Sequence, residues 1–326
     1  GAPTEALIRS GSSAAVVRGA VRTDEREQLI EAELVASGRN RIQVNRQRLH
    51  RTRDLLGAVR ITVFSPDDLV LIKGGPGLRR SYLDQLLVSV DPRNDALRSE
   101  FERALRQRNA LLKQTRGRLD EAAELTLEVW DAKVVAAGEE LALRRADLVT
   151  QIEPIVSTAY GDVAGTPQPI SLRYEAPWRS IGLAEALRSA RADELRRGLT
   201  LVGPHRDDLV VSLNELPSRT HSSQGEQRSL ALALRLAAHR LVNDVVGSPP
   251  VLLLDDVFSE LDPDRSAALL GSLPPGQTLL STAARRTIAA ARAAQVPVVL
   301  NAHPIFYRFA PGWLGAVLDA PDLHAV

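Results

Sequence analysis

The segment that most restricts the fold is the run VLLLDD at residues 251 to 256, introduced by Pro249–Pro250. A strand apolar at every position is buried on both faces, and such strands occur where helices cover both sides of a parallel sheet. The flanking patterns agree. A helical period runs from Gly225 to Val242 and another from Pro263 to Leu273, and a second apolar strand, TLLST, follows at 278 to 282. Helix, strand, helix, strand predicts an α/β fold with a mostly parallel sheet. Asp255 and Asp256 then leave the buried strand at its carboxyl end, where open α/β sheets bind ligands.

The rest of the chain reads in three parts. In the first sixty residues, AAVVRGAV, QLIEAELV, RIQVN and AVRITVF are short and β-branched, which predicts a meander edging a larger sheet. Ser65 is placed to cap a short helix, residues 74 to 77 are glycine-rich and break it, and Tyr82, Leu83, Leu86 and Leu87 share one face of a second helix. From about Asp91 to Tyr160 the apolar spacing predicts two long antiparallel helices, separated near Gly117. A strand ISLRYE, a helix from Leu183 to Arg197 and strands at LTLVG and DLVVSLNE lead back to the α/β part. The expected division is a head formed by 1–88 and 199–326, with a helical lobe, 89–198, inserted into it.

Composition excludes several classes of function. The chain has no cysteine, which rules out disulfides, thiolate metal sites and a cysteine nucleophile. No apolar run is long enough to span a bilayer and residues 1 to 30 do not form a signal peptide, so a cytoplasmic address is expected. Net charge is only +1, but its distribution is uneven. The lysines are Lys73, Lys113 and Lys133 alone, and the arginines cluster. Arg39, Arg41, Arg46, Arg48, Arg51 and Arg53 fall in a stretch without an acid, and a second basic stretch runs from Arg93 to Arg118. Each can hold phosphates or form a solvated surface.

In nucleotide hydrolases the first Asp after such a strand holds Mg²⁺ and an acid beside it polarises the attacking water, roles that fall on Asp255 and Asp256. The same two acids also suit a helix cap. The preceding segment, SSQGEQRSLALALRLAAHR, starts a helix with Ser223 and Gly225, presenting backbone N–H groups and the positive end of the helix dipole as a phosphate receptor. A well-capped surface helix is the alternative. No G-x-x-x-x-G-K-[ST] loop occurs: Lys73 precedes Gly, Lys113 precedes Gln and Lys133 precedes Val. There is no zinc, flavin or nicotinamide motif.

SxGEQRSxALALRLA followed by LLLDDVFSELDPDRSAAL resembles the signature helix, Walker B strand and D-loop of the ABC-type ATPases related to SMC and Rad50. Within them the chain resembles the RecF family, to which PDDLVLIKGGPGLRRSYLD at 66–84 and GPHRDDL at 203–209 are also similar. The resemblance covers about residues 10 to 284. It implies an ABC-type ATPase head with an inserted helical lobe, acting in DNA replication, repair and the SOS response. It implies a homodimer that closes around ATP and Mg²⁺ on double-stranded DNA beside a single-strand gap, and works with RecO and RecR to help load the recombinase RecA. By resemblance, Ser223, Gly225 and Glu226 contact the γ-phosphate of ATP held by the opposite subunit, Ser259 and Asp262 belong to the D-loop, and Thr282 stands at the switch position. The first arginine cluster gains weight as a DNA contact.

The family's phosphate loop belongs to a short N-terminal segment not found here, as expected of a truncated frame or a fragment. The polypeptide alone is therefore expected to bind ATP poorly and to hydrolyse it negligibly. Residues 285–326 do not resemble the family's usual end, and no role is carried over from them; His303, before Pro304, reads as structural or exposed. The alternatives are another SMC- or Rad50-like head, for which the helical segment is too short, and a non-hydrolysing DNA-binding or scaffold protein.

Overall fold

Residues 14 to 48 fold as their alternation predicts, into strands β1 (Ala14–Thr23), β2 (Arg26–Val35), β3 (Arg41–Val44) and β4 (Gln47–Arg48). The structure, a computed structural model, describes residues 3–23, 26–49, 52–115, 117–259, 261–281 and 298–299. They fall into two units, 1–61 and 62–326. In the first, β1 to β4 form an antiparallel sheet in sequence order. The β3–β4 turn needs two left-handed residues, and Asn45 (φ 51°) and Arg46 (φ 66°) supply them. Asn45 also locks the turn to β2, since its Oδ1 accepts the Leu29 N–H at 2.8 Å. The meander is thus a sheet of its own and does not edge a larger one; of the four expected strands only the last, β5 (Ile61–Phe64), joins the α/β sheet.

The second unit opens with a 3₁₀ turn, Pro66–Leu69, whose entry Ser65 fixes by donating its N–H to Asp68 Oδ2 at 2.9 Å. Helices α1 (Val70–Lys73), α2 (Pro76–Val90), α3 (Asn94–Gln114) and α4 (Glu121–Ala164) follow. Tyr82, Leu83, Leu86 and Leu87 are all buried, as their shared face predicts. At about 1.5 Å per residue, α4 is roughly 65 Å long. Its contacts show that α3 runs antiparallel to it: Arg108 meets Asp131, Phe101 lies against Gly138, and Asn94 meets Arg144. Gly138 permits this approach, because a Cβ there would lie 2.7 Å from Leu183 Cδ2 and 3.2 Å from Phe101 Cε2.

Next come β6 (Ile170–Glu175), α5 (Leu183–Arg197), β7 (Asp208–Leu213), β8 (Leu216–Pro217) and α6 (Ser218–His221), with β6, β7 and β8 forming an antiparallel sheet. The expected strand LTLVG does not form. Residues 201 to 206 are turns around Gly203 (φ 121°), and the Thr200 N–H is taken by Asn109 Oδ1 at 2.7 Å, outside any ladder. The last part is α7 (Gln224–Val246), β9 (Val251–Asp255), α8 (Pro263–Gly271), β10 (Thr278–Ser281) and β11 (Val298–Val299). The sheet order is β11-β10-β9-β5, with β10 parallel to both β9 and β11. Leu252 and Leu254 of β9 are buried and Val251 and Leu253 half-buried, so one face of the strand is deep core and the other only partly covered. The second half of α4 packs along α7 and joins the helical region to the α/β region in one core.

Candidate functional site

The sequence-derived residues fall into two groups, one at the start of α7 and one at the carboxyl end of β9. Ser223 is the N-cap of α7 and forms a reciprocal capping box: its Oγ accepts the Glu226 N–H at 3.3 Å, and Glu226 Oε2 accepts the Ser223 N–H at 2.7 Å. The first turn of a helix leaves backbone N–H groups without intrahelical acceptors. The box occupies two of them, those of Ser223 and Glu226, and the regular helical bonds begin with the Gln227 N–H to the Ser223 carbonyl, leaving the N–H groups of Gln224 and Gly225 for solvent or a ligand. Asp262 caps α8, accepting the Arg265 N–H at 2.9 Å. Arg265 then reaches back to α7: a Cβ on Gly225 would lie 2.5 Å from its Nη1. The two helix starts are therefore neighbours.

At the end of β9 the parallel register sets Ser281 beside Asp255. Ser281 Oγ donates to Asp255 Oδ1 at 2.5 Å and accepts the Asp256 N–H at 3.1 Å. Asp256 turns the chain with φ 50°, a left-handed conformation that Asp tolerates better than most residues. Asp255 is exposed and Asp256 is half-buried. Asp256 also lines a cavity with Arg228, Leu232, Phe64 and Leu69, which brings the second turn of α7 to the acidic pair. Two carboxylates alone make a poor cation cage, and among the described residues no cluster of three acids or histidines forms one. Such a pair suits Mg²⁺ when phosphate oxygens and water complete its shell.

Ser281 and Arg265 were not identified from sequence. Ser281 carried a signal, since it ends the strand paired in register with the acidic one; Arg265 carried none, because its contact with Gly225 joins two distant helix starts. Ser259 ends a short 3₁₀ turn, Val257–Ser259, and its side chain lies outside the described residues, as do Thr282 and His303.

Sheet register spreads the first arginine cluster. Arg46 sits in the β3–β4 turn, Arg39 precedes the opposite end of β3, and Arg41 and Arg48 lie on strands; all four are exposed. Arg41 meets Glu33 at 3.4 Å, whereas Arg39, Arg46 and Arg48 have no ion pair among the described residues. Arg51 and the Arg53 side chain lie outside the described residues. Much of the second cluster is neutralised: Arg93 by Asp91, Arg98 by Asp95, Arg106 by Glu102, and buried Arg108 by Asp131 and Glu194.

No protein-family model matches the chain. It is 45% identical over 291 residues to the DNA replication and repair protein RecF of Streptomyces avermitilis, an alignment covering 85% of this chain and 78% of that protein. The chain belongs to the RecF family. The RecF proteins of Acidothermus cellulolyticus and Cutibacterium acnes are each 41% identical over 85% of this chain, covering 78% and 77% of their own lengths. A structure of the recombination mediator protein RecF with ATPrS superposes with a TM-score of 0.79 at 28% identity, over 92% of this chain and 82% of that one. A structure of RecF with ATP gives 0.77 at 30% identity, over 87% and 79%. The fold is accordingly the α/β ATPase-head fold of RecF.

The two other RecF-like blocks form an interior tie. Arg79 makes a bidentate pair with Asp208 at 2.7 and 2.8 Å, and Arg80 donates to the Asp207 carbonyl at 2.7 Å. Asp84 pairs with buried Arg145 of α4 at 2.8 and 2.9 Å, and Arg145 also donates to the Pro204 carbonyl at 2.8 Å. The Asp207 carboxylate, raised in pKa by burial, accepts from Tyr174 at 2.6 Å and Trp178 at 2.8 Å. Toward α7, Asp68 meets Arg235 at 2.6 Å and Tyr82 donates to the Leu234 carbonyl at 2.8 Å. In this RecF-family chain these residues hold α2, α4, α7 and β7 together. No helix among the described residues is long and apolar enough to cross a membrane.

Proposed function

We propose that this chain acts in RecF-type DNA repair, contributing the signature-helix and acidic-strand parts of an ATP site that is composite between two subunits. The observation that carries the reading is the pair of prepared ends: α7 begins on Ser223 and Gly225 with free first-turn N–H groups, and β9 ends on Asp255, oriented by Ser281, and Asp256. The solved RecF structures with ATP and ATPrS support a nucleotide as the ligand. In this reading Ser223, Gly225 and Glu226 meet the terminal phosphate of a nucleotide held by the opposite subunit, Asp255 helps hold Mg²⁺, and Asp256 takes the proton of the attacking water. Ser259 and Asp262 line the dimer interface and Thr282 occupies the switch position. The head comprises 1–88 and 199–326, with 89–198 as the helical lobe.

The wider activity proposed is that of a homodimer closed by ATP on double-stranded and gapped DNA, working with RecO and RecR in the loading of RecA. Exposed Arg39, Arg46 and Arg48 are proposed DNA contacts, with Arg41, Arg51 and Arg53 beside them in sequence. The 326 residues contain no G-x-x-x-x-G-K-[ST] loop, so the polypeptide made of them is expected to turn over ATP negligibly. Steady-state ATPase assays test this: turnover that Asp256→Asn abolishes would overturn it. Exposed Arg39, Arg46 and Arg48, without ion pairs among the described residues, also suit a second reading, a DNA-binding protein indifferent to nucleotide. Gel-shift affinity at a fixed salt concentration, equal with and without ATP, supports that reading over the nucleotide-gated clamp.

A further inference from the structure

The start of α7 has an electrostatic difficulty as a phosphate receptor. Glu226 sits in the first turn, its carboxylate fixed by the Ser223 N–H at 2.7 Å, where it repels an approaching polyphosphate. Arg265 stands where a compensating cation is required. Its Nη1, Cζ and Nη2 lie 2.5, 3.5 and 3.6 Å from the position of a Cβ on Gly225, so the guanidinium spreads across the glycine. Asp262 draws Arg265 Nε to 3.5 Å, which leaves the terminal Nη groups toward α7; among the described residues these donate no hydrogen bond. Tyr160, at the end of α4 and only 1% exposed, senses both charges: burial raises its pKa, Glu226 raises it further and Arg265 lowers it. Three elements thus converge on one cation that is part-exposed and has donors to spare. A guanidinium is planar and forked, which matches phosphate oxygens in pairs.

We propose that Arg265 is a further phosphate-contacting residue of the composite site, neutralising Glu226 and offering its Nη groups to the terminal phosphate presented at Gly225 by the second copy. This rests on the reading of α7 given above. It also gives a reason for glycine at position 225, since a side chain there would displace the guanidinium.

The test is association of this 326-residue chain, fluorescently labelled, with Streptomyces avermitilis RecF in the presence of Mg²⁺ and ATP or ADP, followed by anisotropy. The wild-type chain is expected to associate more tightly with ATP than with ADP. Arg265→Ala should weaken the ATP-dependent association by about 10- to 100-fold, the worth of a charged hydrogen-bonding pair. Arg265→Lys should recover only part of the loss. Glu226→Gln placed on Arg265→Ala should also recover part of it, because the uncompensated carboxylate is gone; a residue that merely braced α8 gives no such coupling. Melting midpoints of all variants identify any that fail to fold, and if Arg265→Ala is among them Arg265→Gln replaces it. Wild-type affinity in the Ala or Gln variant, or strictly additive effects with Glu226→Gln, would overturn the role of Arg265 while leaving the signature-helix reading intact. If the wild-type chain shows no preference for ATP, both fall.

Discussion

Arg108 offers a sharp test of how the helical region is held. It is fully buried on α3 and makes two side-chain hydrogen bonds, Nε to Asp131 Oδ1 at 2.6 Å and Nη1 to Thr200 Oγ1 at 2.9 Å, and one ion pair, Nη2 lying 2.7 Å from Glu194 Oε2. Glu194 is also fully buried, and its other oxygen accepts the Leu201 N–H at 2.8 Å. Arg108→Met keeps most of the side-chain volume and removes the charge. Asp131 retains Arg191, but Glu194 is left as a buried carboxylate with one backbone donor. Breaking a buried pair from one side costs about 3–5 kcal/mol, chiefly through the stranded charge, and the lost Thr200 bond adds about 1 kcal/mol. Replacing both partners removes the stranded charge, so Arg108→Met with Glu194→Met should be more stable than Arg108→Met alone. Urea unfolding of the wild type, both single variants and the double variant at neutral pH measures this. A single variant that loses under about 1 kcal/mol, or a double variant as damaged as the two singles added together, would refute the reasoning.

Further expectations follow from other sites. His239 is 1% exposed and burial, with Arg240 nearby, lowers its pKa from 6.5 to about 4. The unfolded chain therefore binds the extra proton first, so stability is complete above pH 6.5 and falls as pH drops toward 4, by about 3 kcal/mol for this group. His239→Leu should flatten that part of a melting-temperature profile against pH, and an unchanged profile would contradict the assignment. Gly138→Val forces Leu183 or Phe101 aside and should cost about 1–3 kcal/mol in the same unfolding assay. Asp256 holds a left-handed conformation that Asn also tolerates and a β-branched residue does not, so Asp256→Val should lower stability by about 1–3 kcal/mol more than Asp256→Asn. Equal effects of those two substitutions would show that the turn is not strained.

The α/β part was legible because its signals are local: four apolar residues before two acids define β9, and Ser223 with Gly225 ahead of a helical period marks the start of α7. The α3–α4 pair was legible from apolar spacing. LTLVG misled because its alternation is that of a strand, while Asn109 and Glu194 take the Thr200 and Leu201 N–H groups that a ladder needs. The clustered arginines were the least readable feature. Sequence proximity suggests one basic patch, but β3 puts Arg39 and Arg46 beyond opposite ends of a strand, and Arg108 of the second cluster pairs with Asp131 and Glu194 on other elements, which periodicity does not reveal. Ser281 and Arg265 depend on register and on the meeting of two helix starts, which only the folded chain brings about.

Complementation of a split ATP site tests the role of α7 most directly. In a RecF-family protein that carries a G-x-x-x-x-G-K-[ST] loop and whose residue aligned with Ser223 is replaced by arginine, adding this chain should restore ATP turnover, and adding its Ser223→Arg variant should not. No restoration by the wild-type chain, or equal restoration by the Ser223→Arg variant, would contradict the claim that α7 supplies half of that site.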